Sequence, residues 1–155
     1  MSGSHVFSEI YIHLNWHCHR DQPLITPAIE PHLFSVLEAR CRATKGVHFL
    51  GVNGTPTHVH LAFEMEPFVL LSKFVGELKG GSASSINKEL RRIGLQWQRG
   101  YGAVSFTRKQ TPWILDYIAG QKEHHQIAGS RINDTLEIGQ GFIEEDYVED
   151  EELQE

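Results

Sequence analysis

Ile10, Ile12, Leu14 and Trp16 alternate with Tyr11, His13, Asn15 and His17, and only an extended strand sorts such a run onto two faces. The apolar set needs a second layer to cover it, so the chain must build a sheet with at least one buried face. The period alone predicts a half-buried strand, with Tyr11, His13, Asn15 and His17 on its wetter side. Asp21-Gln22-Pro23 ends the run. A second alternation, His58 to Glu64, sends Val59, Leu61 and Phe63 one way and His58, His60 and Ala62 the other. Val47 to Val52 is a shorter strand, and Asn53-Gly54 reads as the turn between the two.

Helical stripes separate these strands. Thr26-Pro27 reads as a cap and first-turn proline ahead of Ile29, Leu33, Val36, Leu37 and Cys41, a helix ending before Gly46. Phe68, Leu71, Val75 and Leu78 mark another, interrupted at Gly80-Gly81. Ile86, Leu90 and Ile93 follow as a further helix that Gly94 stops. Trp97 to Phe106 alternates as a strand, with Gly100 and Gly102 suggesting a bend. Thr111-Pro112 opens a last helix predicted to reach about Ala128. The order β-α-β-β-α-β-α predicts an α+β fold, an antiparallel sheet with helices packed on it.

At 155 residues and 40% hydrophobic content, the chain suits one compact domain. No apolar run approaches bilayer length and no secretory pattern opens the chain, so no membrane association and a cytoplasmic location are expected. Cys18 and Cys41, without CxxC spacing, read as free thiols. A net charge of −6 argues against a nucleic-acid partner until its distribution is read. Eight acidic residues and no Lys or Arg lie between Glu144 and Glu155, leaving 12 acidic against 14 basic residues in 1–143. Residues 1–130 are therefore read as the folded domain and 131–155 as an acidic, partly disordered tail.

Two pairs of residues could carry chemistry. His58 and His60, at i and i+2 on a strand, share a face and can reach one divalent cation. In a chain with ten histidines, such a pair also arises without function. Tyr117 and Gln121, at i and i+4, project together from the last helix, while Ile114, Leu115 and Ile118 pack on the sheet. That helix taken alone reads first as a boundary aromatic with a surface amide. His124 and His125 extend its polar side, where a helix C-terminus also suits histidine by its dipole.

The ordered set Tyr11-Ile12-His13-Leu14-Asn15-Trp16, His58-Val59-His60-Leu61, Trp97 to Ser105 and Tyr117 to His125 resembles the single-tyrosine HUH transposases of small bacterial insertion sequences and their REP-associated relatives. The resemblance implies a ferredoxin-like or RRM-like core, His58 and His60 as metal ligands, Gln121 as the third ligand and Tyr117 as the nucleophile. It further implies Mg²⁺ or Mn²⁺ as cofactor, hairpin-bearing single-stranded DNA as substrate and a homodimer. The sequence departs from the family at Thr57, where an Asp usually precedes the first histidine, so a supporting carboxylate is expected to be missing.

The chemistry fits these groups. Attack by a tyrosine phenol (pKa near ~10 when unperturbed) on phosphorus would leave a 5′-phosphotyrosine and a 3′-hydroxyl, and the reverse step would join strands without ATP. Phosphate contacts need clustered cations. Lys73, Lys79, Lys88, Arg91 and Arg92 cluster on the middle helices and Arg99 and Arg108 flank the later strand, although each also suits a solvated face. Trp97 and Tyr101 could stack exposed bases or sit in the core. A second reading keeps the fold as a hairpin binder that does not cut. A third, a phosphoesterase with paired His motifs, lacks its second motif, because His17-Cys18-His19 and His124-His125 do not supply one.

Overall fold

The computed structural model describes residues 5–92 and 94–122. Ile93, His124, His125, residues 123–128 of the expected last helix, the boundary at 130 and the acidic tail lie outside the described residues. Within them that helix already ends at Ala119, with Gly120 in a turn, short of the expected Ala128. Strands β1 (Tyr11–His17), β2 (Val47–Gly54), β3 (His58–Met65) and β4 (Gly102–Phe106) form one sheet in the order β2-β3-β1-β4. Every neighbouring pair is antiparallel. Helices α1 (Glu30–Ala43), α2 (Leu71–Leu90) and α3 (Thr111–Ala119) complete the α+β fold. Among the described residues, no helix is long and apolar enough to cross a membrane.

Residues directly opposite on paired strands share a face. Ile12, Leu14 and Trp16 of β1 stand across from Phe63, Leu61 and Val59 of β3. Leu33, Leu37 and Cys41 of α1 and Phe74, Val75, Leu78 and Ile86 of α2 cover this apolar face. Leu14 and Trp16 are fully enclosed there. Burying each such side chain stabilises the fold by about 1.5–3 kcal/mol, so this layer is the main source of stability.

The opposite face is covered as well, and this corrects the half-buried reading of β1. All seven of its residues are buried, because α3 lies over Tyr11, Ala62 and Phe106 through Ile114, Tyr117 and Ile118. Alternation shows that two faces differ; it does not show whether the polar one meets water.

Other boundaries shift for identifiable reasons. Asn53-Gly54 is not the turn: β2 runs through Gly54, and the chain reverses at Thr55-Pro56-Thr57. A Cβ on Gly54 would collide with the carbonyl oxygen of His58, so the two strands close this tightly only with glycine there. Gly80-Gly81 does not divide α2 either. Val75, Leu78, Ser82 and Ile86 form one buried stripe across the glycines, and that packing outweighs a propensity loss of about 1 kcal/mol per glycine. At Gly81 the Arg40 guanidinium of α1 occupies the space a Cβ would need. The fourth strand begins only at Gly102, and Trp97 contributes a single bridge to Cys18. Thr26-Pro27 opens a turn before α1 rather than the helix itself.

Burial fixes the state of both cysteines. Cys18 and Cys41 are free, and desolvation pushes each thiol up to about 12. Neither should react measurably with a disulfide reagent such as DTNB in the native protein at pH 8, whereas the urea-unfolded chain should release two equivalents. Rapid labelling of either thiol in the folded state would contradict this packing.

Candidate active site

The polar face of the sheet is a row of imidazoles. Pairing sets His17 across from His58, Asn15 across from His60 and His13 across from Ala62. All are nearly excluded from solvent: His13 is 1% exposed, Asn15 0%, His17 3%, His58 3% and His60 0%. Desolvation lowers His13 to about 4, so it is neutral at physiological pH.

Each histidine of the His58-Val59-His60 pair is held at Nδ1. His60 Nδ1 lies 2.8 Å from His13 Nε2. His58 Nδ1 lies 2.9 Å from Thr55 Oγ1 and 3.0 Å from Thr57 Oγ1. The carboxylate expected to be missing at Thr57 is absent, and the Thr57 hydroxyl stands at His58 Nδ1 in its place. The two rings sit 5.0 Å apart at 71°. His17 stacks on His58 at 4.7 Å and 20°, and Asp21 Oδ1 holds its Nδ1 at 2.7 Å.

Helix α3 and the residues just past its end carry the other pair. The Tyr117 ring stands edge-on to His60 and to His13, with centroids 6.0 Å from each. Gln121, one helical turn on and past Gly120, is fully buried, and its Nε2 donates to the Tyr117 carbonyl at 3.2 Å. Asn53 places this end of α3. It stands across from His60 on β2, donates from Nδ2 to the Ala119 carbonyl at 3.0 Å, and accepts at Oδ1 from Lys122 Nζ at 3.0 Å. The residues flanking Gln121 are thus fastened beside His60.

By residue type, His58, His60 and Gln121 could together hold a divalent cation. With Nδ1 engaged on both rings and the Gln121 nitrogen turned to its own helix, the atoms suited to ligation are two Nε2 nitrogens and one amide oxygen. Such a set is neutral and leaves positions for phosphate oxygens. Among the described residues, no three His, Cys, Asp or Glu side chains group as a metal site, so the amide is needed to complete one.

The expected DNA-binding residues divide. Lys73, Lys88, Arg91 and Arg92 are exposed, but α2 lies on the apolar face, across the sheet from the histidines. Lys79 Nζ donates to the Gln98 and Gly100 carbonyls at 2.6 and 2.8 Å, which ties the glycine-containing loop to α2. Arg99 is exposed on that loop, and Arg108 is exposed before α3 with Glu9 3.7 Å away. Trp97 packs edge-on against Trp16 at 5.6 Å and donates to Ser82, an interior role.

The sequence reading overlooked His13, Asn15, His17 and Thr55. The signal was available: three polar residues at i, i+2 and i+4 on one strand, facing the same side as His58 and His60 on another. What it lacked was the pairing that sets the two strands side by side.

The chain is similar to known transposases. Residues 6–121 match the sequence profile of the family described as "Transposase IS200 like". The transposase for insertion sequence element IS200 of Salmonella typhimurium is 29% identical over 110 residues, spanning 67% of this chain and 68% of that protein. The Salmonella typhi transposase for the same element matches equally. A Deinococcus radiodurans protein assigned as a transposase superposes with a TM-score of 0.61 at 20% identity, over 78% of this chain and 97% of the other. A REP-associated tyrosine transposase solved bound to a REP hairpin gives 0.55 at 15% identity, over 81% of this chain and 74% of that one. At these identities the two structures speak to the fold alone.

Proposed function

This chain belongs to the IS200-like transposase family, and we propose that it cuts and rejoins hairpin-bearing single-stranded DNA through a covalent bond to Tyr117. The observation that carries this reading is the juxtaposition of Tyr117 with His60, 6.0 Å between ring centres, on a buried face where His58 and Gln121 also lie. In the forward step the Tyr117 oxygen bonds to phosphorus as the bond to the 3′ oxygen breaks. The phenol proton is lost and the departing strand end becomes a hydroxyl. In the reverse step a 3′-hydroxyl displaces Tyr117, restoring a phosphodiester and the phenol.

His58, His60 and Gln121 would hold Mg²⁺ or Mn²⁺. Bound there, the ion would polarise the non-bridging oxygens and offset the charge that builds on them. The chain's own part is positional: β3 sets the two imidazoles, α3 sets the phenol, and the residues just past its end at Gly120 set the amide. Exposed Arg99 and Arg108 suit phosphate contacts on the approaching strand. The hairpin held by the structurally similar REP-associated transposase supports a folded-back substrate, and action as a homodimer is part of the same proposal.

Tyr117 is only 4% exposed, so a side-chain or local backbone movement must expose its oxygen before a phosphate can reach it. The same burial is what a hairpin binder that does not cut would show. A labelled hairpin with a single-stranded flank separates the two readings. With Mg²⁺ or Mn²⁺ the wild-type protein should form an adduct that survives denaturant, and EDTA should prevent it. Tight hairpin binding with no adduct in either metal would establish the binder instead.

A further inference from the structure

We propose that His13, together with Thr55 and Thr57, is a positioning residue that fixes the tautomers of the two ligand histidines, so that each presents Nε2 to the metal. This rests on the reading of His58 and His60 as ligands and adds the groups that aim them.

A neutral imidazole carries one proton, and a ring nitrogen can ligate only when it does not hold it. Metal-binding histidines are accordingly oriented by an acceptor at the other nitrogen, usually a carboxylate or a carbonyl. Here both acceptor positions are filled by neutral side chains. At His60 it is the Nε2 lone pair of His13, 2.8 Å from Nδ1. At His58 it is two hydroxyl oxygens, at 2.9 and 3.0 Å, where one N–H can be shared.

His13 is otherwise poorly placed for stability. Its Nδ1 is buried with no hydrogen-bond partner among the described residues, a state that costs about 1–3 kcal/mol. A leucine there would continue the apolar cover of α3 without that penalty. The hydrogen bond that His13 does make goes to His60, which is what a residue kept for positioning would do. Thr55 is placed by the turn itself. Its backbone N–H donates to the His58 carbonyl at 3.0 Å, and its hydroxyl accepts from the Thr57 N–H at 3.3 Å. The tight reversal therefore sets both hydroxyls against His58.

The test is made on the full chain without metal and then with Mn²⁺. Long-range ¹⁵N–¹H spectra of the histidine rings should show His58 and His60 protonated at Nδ1 in the metal-free wild type. His13→Leu should fold, shift His60 toward the Nε2-protonated form, and bind Mn²⁺ about 10- to 100-fold more weakly by calorimetry. His13→Gln, whose amide oxygen can accept from His60, should restore both the tautomer and most of the affinity. Thr55→Val combined with Thr57→Val should act in the same way on His58 alone. An Nε2-protonated His60 in the metal-free wild type would overturn the proposal, as would wild-type Mn²⁺ affinity in His13→Leu. Locked tautomers that His13→Leu releases, with no Mn²⁺ bound by any variant, would uphold the positioning and refute the ligand reading beneath it.

Discussion

Replacing Tyr117 with Phe should abolish the covalent protein–DNA adduct and lower strand cleavage by more than about 10³-fold, while leaving the fold and hairpin binding intact. The asymmetry follows from what one oxygen does at this position. The ring, enclosed with Ile114 and Ile118 over Tyr11 and Phe106, supplies the packing, and phenylalanine retains all of it. Losing the hydroxyl should change stability by about 1–2 kcal/mol. The nucleophile, by contrast, has no substitute, and removing such a group typically costs several orders of magnitude. The measurement is a denaturing gel with end-labelled hairpin, run beside a melting curve and a binding titration. Wild-type adduct levels in Tyr117→Phe would assign the nucleophile elsewhere. Loss of folding along with activity would mean that the hydroxyl is structural.

The second large effect comes from a residue that makes no contact with substrate. Gly54→Ala should destabilise the protein by about 2–4 kcal/mol, combining overpacking against backbone with loss of the Thr55–His58 hydrogen bond. The added methyl drives into the His58 carbonyl, so the ends of β2 and β3 must part. Parting them withdraws the Thr55 hydroxyl from His58 Nδ1, and Mn²⁺ affinity should fall with stability. Gly80→Ala is the matched control. Nothing lies near a Cβ added at Gly80 in the interior of α2, so the same substitution should stabilise by about 0.5–1 kcal/mol. Equal effects in the two variants, measured as urea midpoints, would show that close approach at Gly54 is not what sets its role.

The contrast between these glycines also shows how much a sequence can say. Asn53-Gly54 and Gly80-Gly81 both look like breaks in a pattern, and neither is one. At residue 54 the glycine serves a turn one step later. Across 80 and 81 a buried stripe from Val75 to Ile86 carries the helix through. Local propensities of about 1 kcal/mol decide an element only where packing does not.

Periodicity and spacing determined the α+β class, the element order, the separate apolar faces of Ile12, Leu14 and Trp16 and of Val59, Leu61 and Phe63, and the shared face of His58 with His60. Each of these follows from contacts within a few residues or from the repeat of one element. Only the tertiary structure decided that α3 closes over the second face, that Asn53 fastens the end of that helix beside His60, and that His13 and the Thr55–Thr57 turn grip the imidazoles. His13 and His60 stand 47 positions apart in the chain. The period of a single strand carries no information about which strand lies next to it, and the pairing of β1 with β3 turns two rows of polar residues into one site.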